Sequence, residues 1–289
     1  MTLEQLRIFV AVAEREHMTQ AAQQLNITQS TASAAIASLE SRHHVALFHR
    51  IGRRIELTEA GHILLDEARA VLGRAAGAEL ALSEFGGLKR GSLYLVASQT
   101  IASYWLPRHL AAFHEHYPKI EVHLAIANTE QAAGSVISGT AELGFVEGAI
   151  ADATMSHWPV GHDQLVLVGT EAVKQIDAAW LSNARWIMRE AGSGTRSSFE
   201  EALRERGIDP AALNIAMTLP SNESVRTAVE ASAGVAMLSR LVVTRALRTG
   251  VLHELPFELP MRPFFALCHK ERYRSKAADT LLNLIKENS

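Results

Sequence analysis

Apolar positions in the first forty residues recur with a helical period, in three short runs. Leu6, Phe9, Val10 and Ala13 share one face of a helix that Thr2 and Gln5 open as a T-x-x-Q capping box. Thr19 is the expected N-cap of a second helix reaching Leu25, Asn26-Ile27 is a short break, and Thr28 caps a third helix to about Ser41. Ala32, Ala35, Ile36 and Leu39 give that third helix its apolar stripe. Two helices joined by so short a turn make a helix-turn-helix. The other face holds Gln29, Ser30, Ser33, Ala34 and Ala37, all short or amide-bearing. Such a face is either an ordinary solvated surface or one shaped to approach base edges in a major groove. Solvated helix faces are usually rich in Glu and Lys, and neither occurs between Leu25 and Leu39. Leu47-Phe48, Arg50, a turn at Gly52, Arg53, Arg54 and Ile55-Glu56-Leu57 then read as a two-stranded wing whose arginines face phosphates or the minor groove.

Thr58 caps a long helix from Glu59 to about Phe85. Its Leu64, Ala68, Val71, Ala75, Ala78, Leu82 and Phe85 alternate by four and three residues, the heptad seam of a dimerisation helix. The alternative is a helix packed on its own domain. Gly86-Gly87 ends it, and Lys89-Arg90-Gly91 is a linker. Beyond Ser92 the period changes. Strands at 93–97, 120–125 and 141–146 alternate with helices, and the pattern restarts after about Gly161 with strands at 165–169, 185–188, 215–219, 235–238, 251–255 and 264–269. This predicts a parallel sheet covered by helices on both faces, in two α/β lobes of similar size with a cleft between them.

Composition narrows the class. The chain has 289 residues, 48% hydrophobic and 20% charged, with a net charge of −3. That supports packed cores, and any nucleic-acid binding has to come from a local patch. The segment from Ser41 to Ile55 supplies one, with four arginines, three histidines and no acid. The single cysteine, Cys268, offers neither an intrachain disulfide nor a thiolate metal cage. No apolar run approaches a membrane span, and the N-terminal stretch mixes in too many polar residues for a signal peptide. A cytoplasmic protein without cofactor or metal is expected.

The ordered motifs resemble the LysR-type transcriptional regulators. They are L-x-x-F-x-x-V-A-E at Leu6–Glu14, the run from Ala21 through Thr28-Gln29-Ser30 to Leu39-Glu40, L-F-x-R at Leu47–Arg50, and L-T-x-A-G at Leu57–Gly61. The resemblance implies an α/β fold class: a winged helix-turn-helix over residues 1–58, a dimerisation helix and hinge over 59–90, and a two-lobed effector domain like a periplasmic binding protein over 91–289. Lobe I would hold about 91–161 and 265–289, and lobe II about 162–264. It further implies a non-enzymatic DNA-binding homo-oligomer, usually a tetramer. Its partners are an operator duplex and a small effector, with RNA polymerase a further candidate. By position Gln29, Ser30, Ser33 and the small Ala34 lie at the bases, while Thr28, Thr31, Arg50, Arg53 and Arg54 hold phosphates or enter the minor groove. The chain departs from the family in carrying Ala34-Ala35 where many members have a basic residue, and His43-His44 in place of Leu-Gly. His44 is a tolerable substitute for glycine if the turn needs a positive φ.

Ligand clefts in such domains lie beyond the carboxyl ends of the strands. Ser98-Gln99-Thr100, Ser193-Gly194-Thr195-Arg196 and Ser221-Asn222 sit at such ends and also open helices, so their free N–H groups favour an anion. Arg196 either adds charge there or pairs locally with Glu200. S-x-T-x-x-x-Y-x-L-P at Ser98–Pro107, F-V-E-G at Phe145–Gly148 and R-E-x-G-S-G-T-R at Arg189–Arg196 resemble regulators of sulfur and carbon assimilation. That subgroup implies a sulfite-like oxyanion as effector, with an organic carboxylate or a phosphorylated metabolite as alternatives. Glu147 opposes a multiply charged ligand if it faces the cleft ionised, or else orients an arginine. Enzyme signatures fail: Ala191 stands where a nucleophile elbow needs glycine, and Ser197 where a dinucleotide loop does. His114 and His116, two apart on a helix, do not make a metal pair.

Overall fold

The computed structural model describes residues 1–51, 54–84, 91–148, 150 and 152–287. The Gly52 turn, Arg53, Phe85, the Gly86-Gly87 stop and Lys89-Arg90 lie outside the described residues. The chain divides into two compact units, Met1–Phe85 with Ile137–Thr140, and Gly86–Val136 with Ala141–Ser289.

In the first unit α1 (Leu3–Arg15) begins with the reciprocal capping box, Gln5 N donating to Thr2 Oγ1 at 3.2 Å and Thr2 N to Gln5 Oε1 at 3.0 Å. The second helix, α2 (Met18–Gln24), starts earlier than Thr19. Its N-cap is His17, whose Nδ1 accepts from Gln20 N, a role more often taken by a hydroxyl or carboxyl side chain. Then come α3 (Gln29–His43), the antiparallel pair β1 (Phe48–Ile51) and β2 (Arg54–Leu57), and α4 (Glu59–Glu84). His44 ends α3 at φ +52°, so histidine holds the left-handed turn. Phe9, Val12, Ala21, Ala32, Ile36, Leu39 and Leu47 form the core. Two polar contacts fix the wing on it. Glu40 Oε1 accepts from the amides of Leu47 and Phe48, and Thr58 Oγ1 donates to Ala46 O at 2.7 Å. A side chain at Gly61 would place its Cβ 2.2 Å from Leu47 O, so α4 meets the wing at glycine distance.

The seam of α4 is shared. Ala68 is buried and Leu64 packs on the same core, with Arg69 reaching Glu14 at 2.8 Å. Val71 and Leu82 are exposed, Leu82 by 74%. The first part of the heptad therefore serves its own unit, and the open part begins at Val71.

The second unit opens with β3 (Gly91–Ser98), a π-helical turn (Ile101–Trp105), α5 (Leu106–His116), β4 (Ile120–Ala127), α6 (Thr129–Ser138) and β5 (Leu143–Glu147). Next are β6 (Met155–Gly169), α7 (Ala178–Asn183), β7 (Trp186–Arg189), α8 (Gly194–Glu205) and β8 (Ile215–Leu219). The chain ends with α9 (Asn222–Glu230), β9 (Ala236–Ser239), α10 (Arg240–Arg248), β10 (His253–Leu255), β11 (Met261–His269) and α11 (Lys276–Glu287). The expected all-parallel sheet is mixed instead. Its order is β10-β6-β11-β5-β3-β4 with β9 also on β6; β3 runs parallel to β4 and β5, while β11, β9 and β10 pair antiparallel. β7 and β8 form a separate parallel pair. The difference comes from β6 and β11, which carry the chain between the lobes in opposite directions. β6 is fifteen residues long, three times the strand expected at 165–169. Its first half was hidden because Pro159, Gly161 and His162 break the apolar alternation and its register shifts at Phe264/Phe265.

Adjacent strand residues feed opposite faces. Leu95, Phe145 and Phe264 join α5 and α11 on one face; Val96, Val146 and Leu267 join α6 on the other. The second lobe repeats this, with Val168 and Leu238 against α9 and α10, and Leu167 and Met237 against Trp186 and Phe199.

Candidate nucleic-acid interface and ligand cleft

Thr28 sits in extended conformation with its hydroxyl accepting from Thr31 N at 3.1 Å, and it lies 2.8 Å from the hydroxyls of both Ser30 and Thr31. This hydroxyl cluster is exposed at the positive end of α3, whose first turn carries no acid. Gln29, Ser30, Thr31, Ala34 and Ala37 are exposed and Ser33 is half-buried, while Ala32, Ile36 and Leu39 point into the core. The short-chained face is thus spared by the unit's own packing. The backbone of Arg50 pairs with Ile55 and that of Arg54 with Ile51, on the two strands of the wing. Arg53 and the side chains of Arg50 and Arg54 lie outside the described residues.

In the second unit the polar segments converge between the lobes. Asn222, fully buried at the first turn of α9, donates from Nδ2 to Thr100 Oγ1 at 3.0 Å and accepts on Oδ1 from Arg189. Its backbone N–H donates to Gln99 Oε1 at 2.6 Å. Tyr104 adds a second crossing, its hydroxyl donating to Glu223 Oε1 at 2.9 Å. Burial, with the Glu223 hydrogen bond behind it, holds that phenol above its ordinary value. The α9 terminus expected to be open is therefore filled by Gln99, and Ser221 caps Ser224 N. The α8 terminus differs: Ser193, its N-cap, is buried but makes no capping hydrogen bond.

Beside α8 lies a buried ionic group. Arg262 donates to Asp163 Oδ2 at 2.7 Å and to Thr195 Oγ1 at 3.3 Å, and stands 3.8 Å from Glu147 Oε1. Glu147 Oε2 accepts from Thr129 at 3.3 Å, and Ser239 donates to Asp163 Oδ1. Both carboxylates and the arginine are at most 5% exposed. A Cβ on Gly194 would lie 2.6 Å from Thr129 Oγ1 and 3.1 Å from Glu147 Oε2, so only glycine lets α8 approach this group so closely. Arg189 is matched by Glu190 at 2.8 and 2.9 Å. Two buried polar atoms have no partner among the described residues of this cleft, Arg262 Nε and Ser98 Oγ.

The structure so gathers Ser98, Gln99, Thr100, Glu147, Ser193, Gly194, Thr195 and Asn222. Arg196 is turned to Glu200 at 2.7 Å and to Arg189 O, the local alternative. Sequence reasoning missed Thr129, Asp163, Arg189 and Arg262. A period-two signal was available for the last: Arg262, Phe264 and Ala266 share a strand face, which buries an arginine with the core. Among the described residues no group of three His, Cys, Asp or Glu could hold a metal ion, and no helix is long and apolar enough to cross a membrane.

Comparison with known proteins returns two family models, the LysR substrate binding domain over residues 86–289 and the bacterial regulatory helix-turn-helix protein, lysR family, over residues 3–62. A probable RuBisCO transcriptional regulator of Cyanophora paradoxa is 31% identical over 287 residues, covering 96% of this chain and 89% of that one. The full-length regulator CbnR, solved in complex with its target DNA, superposes with a TM-score of 0.69 at 21% identity and covers the whole of both chains. The CcmR regulatory domain from Synechocystis, in complex with 2-PG, superposes with a TM-score of 0.60 at 22% identity over 69% of this chain and 97% of that one.

Proposed function

The chain belongs to the LysR family of bacterial transcriptional regulators, and from that premise we propose how it reads DNA and which effector it takes. Gln29, Ser30, Ser33 and Ala34 meet base edges, and Thr28 and Thr31 hold the flanking phosphates with Arg50, Arg53 and Arg54 of the wing. The exposure of this uncharged face beside a core-facing stripe carries that reading. The working form is a cytoplasmic tetramer of two dimers, paired through the open half of the α4 seam, on an operator where it also meets RNA polymerase. The functional segments are 1–58, 59–90 and 91–289.

The effector is a compact oxyanion that keeps one proton, a sulfite-like species first, with a hydroxycarboxylate or a phosphorylated metabolite as the alternative. The unpaired, buried Nε of Arg262 carries this assignment, since an orphaned donor of that kind costs about 1–3 kcal/mol until something accepts from it. Ser98, Thr100, Thr195 and the uncapped start of α8 at Ser193-Gly194 supply further donors. Glu147 and Asp163 outnumber Arg262, so a fully ionised dianion is repelled, while a bound proton gives Glu147 a donor. That the CcmR domain was solved with 2-PG supports a small metabolite in this fold. Binding changes the lobe closure set by Gln99, Thr100 and Asn222, and so the spacing of DNA-binding units.

Thermal-shift titration of the full-length protein with sulfite, sulfate, phosphate and short hydroxycarboxylates tests the effector, because a ligand stabilises the state it binds. Sulfite is expected to stabilise more than sulfate. Equal or no stabilisation by every oxyanion refutes the assignment. Footprinting, with affinity falling steeply in salt, tests the DNA reading.

A further inference from the structure

We propose that the half-site met by α3 is read through thymine methyl groups: Ala34 and Ala37 rest on thymine methyls, Gln29 pairs with an adenine, and α3 reads no guanine. This rests on the DNA reading above and names the class of sequence that reading leaves open.

Each base offers the major groove its own set of groups. Guanine is met best by an arginine or lysine, cytosine by a carboxylate, adenine by an amide that donates and accepts together, and thymine by an apolar contact with its methyl. Two of these readers are missing from the exposed face of α3. No Lys or Arg occurs between Thr28 and Ser41. Arg42, the first cation of the helix, follows Ala37 at a turn of about 140° and so points away from that face. Glu40 is the only acid of α3, and its Oε1 already accepts from the amides of Leu47 and Phe48 in the wing.

The readers of A·T pairs remain. Gln29 is exposed, and its side-chain amide has no hydrogen-bond partner among the described residues. Ala34 and Ala37 are both exposed and present bare methyl groups on adjacent turns. Ser30 and Ser33 carry hydroxyls, which bond to either kind of base and set no preference. At a rise of about 1.5 Å per residue Ala34 lies about 7.5 Å along the axis from Gln29, and Ala37 about 12 Å. With about 3.4 Å between base pairs, a helix lying along the groove sets the adenine and the thymines within about four pairs of each other.

The experiment selects duplexes from a random library with the full-length protein, then measures affinity for the selected duplex remade with one base analogue at a time. Uracil in place of thymine removes the methyl and keeps O4. One or two thymines per half-site are expected to lose about fourfold each, the worth of one buried methyl. Replacing adenine by 7-deazaadenine removes N7, and one adenine should lose about fivefold or more, a loss absent in Gln29→Ala. Ala34→Gly should bring the thymine-to-uracil ratio at one position close to one. That ratio compares two duplexes on one protein, so any loss of helix stability cancels. Ala34→Arg should move the selected base at the same position toward guanine. Uracil tolerated at every position, or guanine selected by the parent protein where Ala34→Gly alters affinity, overturns the proposal. So does an A·T preference that survives both analogues, which would give it to groove width and the wing. Failure to enrich any duplex would refute the DNA reading itself, and the proposal with it.

Discussion

Replacing Asn222 by alanine separates the two lobes' polar latch from everything else that folds the effector unit. The side chain is fully buried and makes one bond to Thr100 and one to Arg189. Truncation leaves the Arg189 donor and the Thr100 hydroxyl without that partner. A buried bond to a charged group contributes roughly 1.5–3 kcal/mol and a neutral one about 0.5–1.5, so a loss of about 2–4 kcal/mol is expected. The start of α9 itself survives, because Ser221 still accepts from Ser224 N at 3.0 Å. All four tryptophans, at 105, 158, 180 and 186, belong to the second unit, so urea unfolding followed by tryptophan emission reads that unit alone. With a slope of about 2 kcal/mol per molar urea the midpoint should fall by roughly 1–2 M. Asn222→Asp keeps the acceptor for Arg189 and should lose less than half as much. A midpoint shift below about 0.3 M for Asn222→Ala would refute the latch, and an equal loss in both variants would refute the role given to Arg189.

The other predictions are independent of this one. Ser33→Arg puts a long charged chain on the short face of α3 and should abolish operator-specific shift while leaving the sedimenting mass unchanged; retained operator affinity would discredit the interface. Thr100→Val with Thr195→Val should weaken the effector response without altering basal DNA binding, and a normal ligand titration would count against the cleft. Gly61→Ala drives a Cβ into Leu47 O and should destabilise the first unit by about 2 kcal/mol or more, in the range of overpacking, read by circular dichroism at helical wavelengths. Burial, then the neighbouring Arg108, lowers the pKa of His109 from its ordinary value. The unfolded chain therefore binds the proton more readily, so the stabilisation is complete above the unfolded value near 6.5 and is lost as pH falls through the folded one. Urea midpoints at pH 7.5 and 5.5 should differ more for the parent than for His109→Gln, and identical differences would overturn that.

How legible each element was follows from what specified it. Helix starts governed by hydroxyl caps, Thr2 and Thr28 among them, fall where local spacing puts them, because capping involves residues three apart. The start of α2 did not, since a histidine nitrogen took the cap. Short α7 has only six residues, too few to show a period, and rests on Asp177 accepting from Trp180 N. The heptad of α4 was visible, but not that its first turns serve the unit's own core. Helical periodicity identifies a stripe and says nothing about what covers it.

The ionic group of the cleft was the least legible part, and its origin shows why. Arg262 and Asp163 lie 99 residues apart and meet as direct partners on antiparallel strands. Their contact depends on a register that a single residue of slippage would invert, and β6 reaches that register only through its irregularity near Pro159 and Gly161. The segments that open helices at the cleft could be found in the chain, because each carries its own hydroxyls. Their charge balance could not, because it is set by strands that start elsewhere. The same logic weighs the ligand. Helix starts alone favour any anion, but α9 is already filled by Gln99, and at α8 the incoming group must share space with Glu147. On the proposed effector reading, selectivity rests on what the strands bring, one unpaired guanidinium nitrogen beside two carboxylates, a combination that suits a ligand able to accept and donate at once.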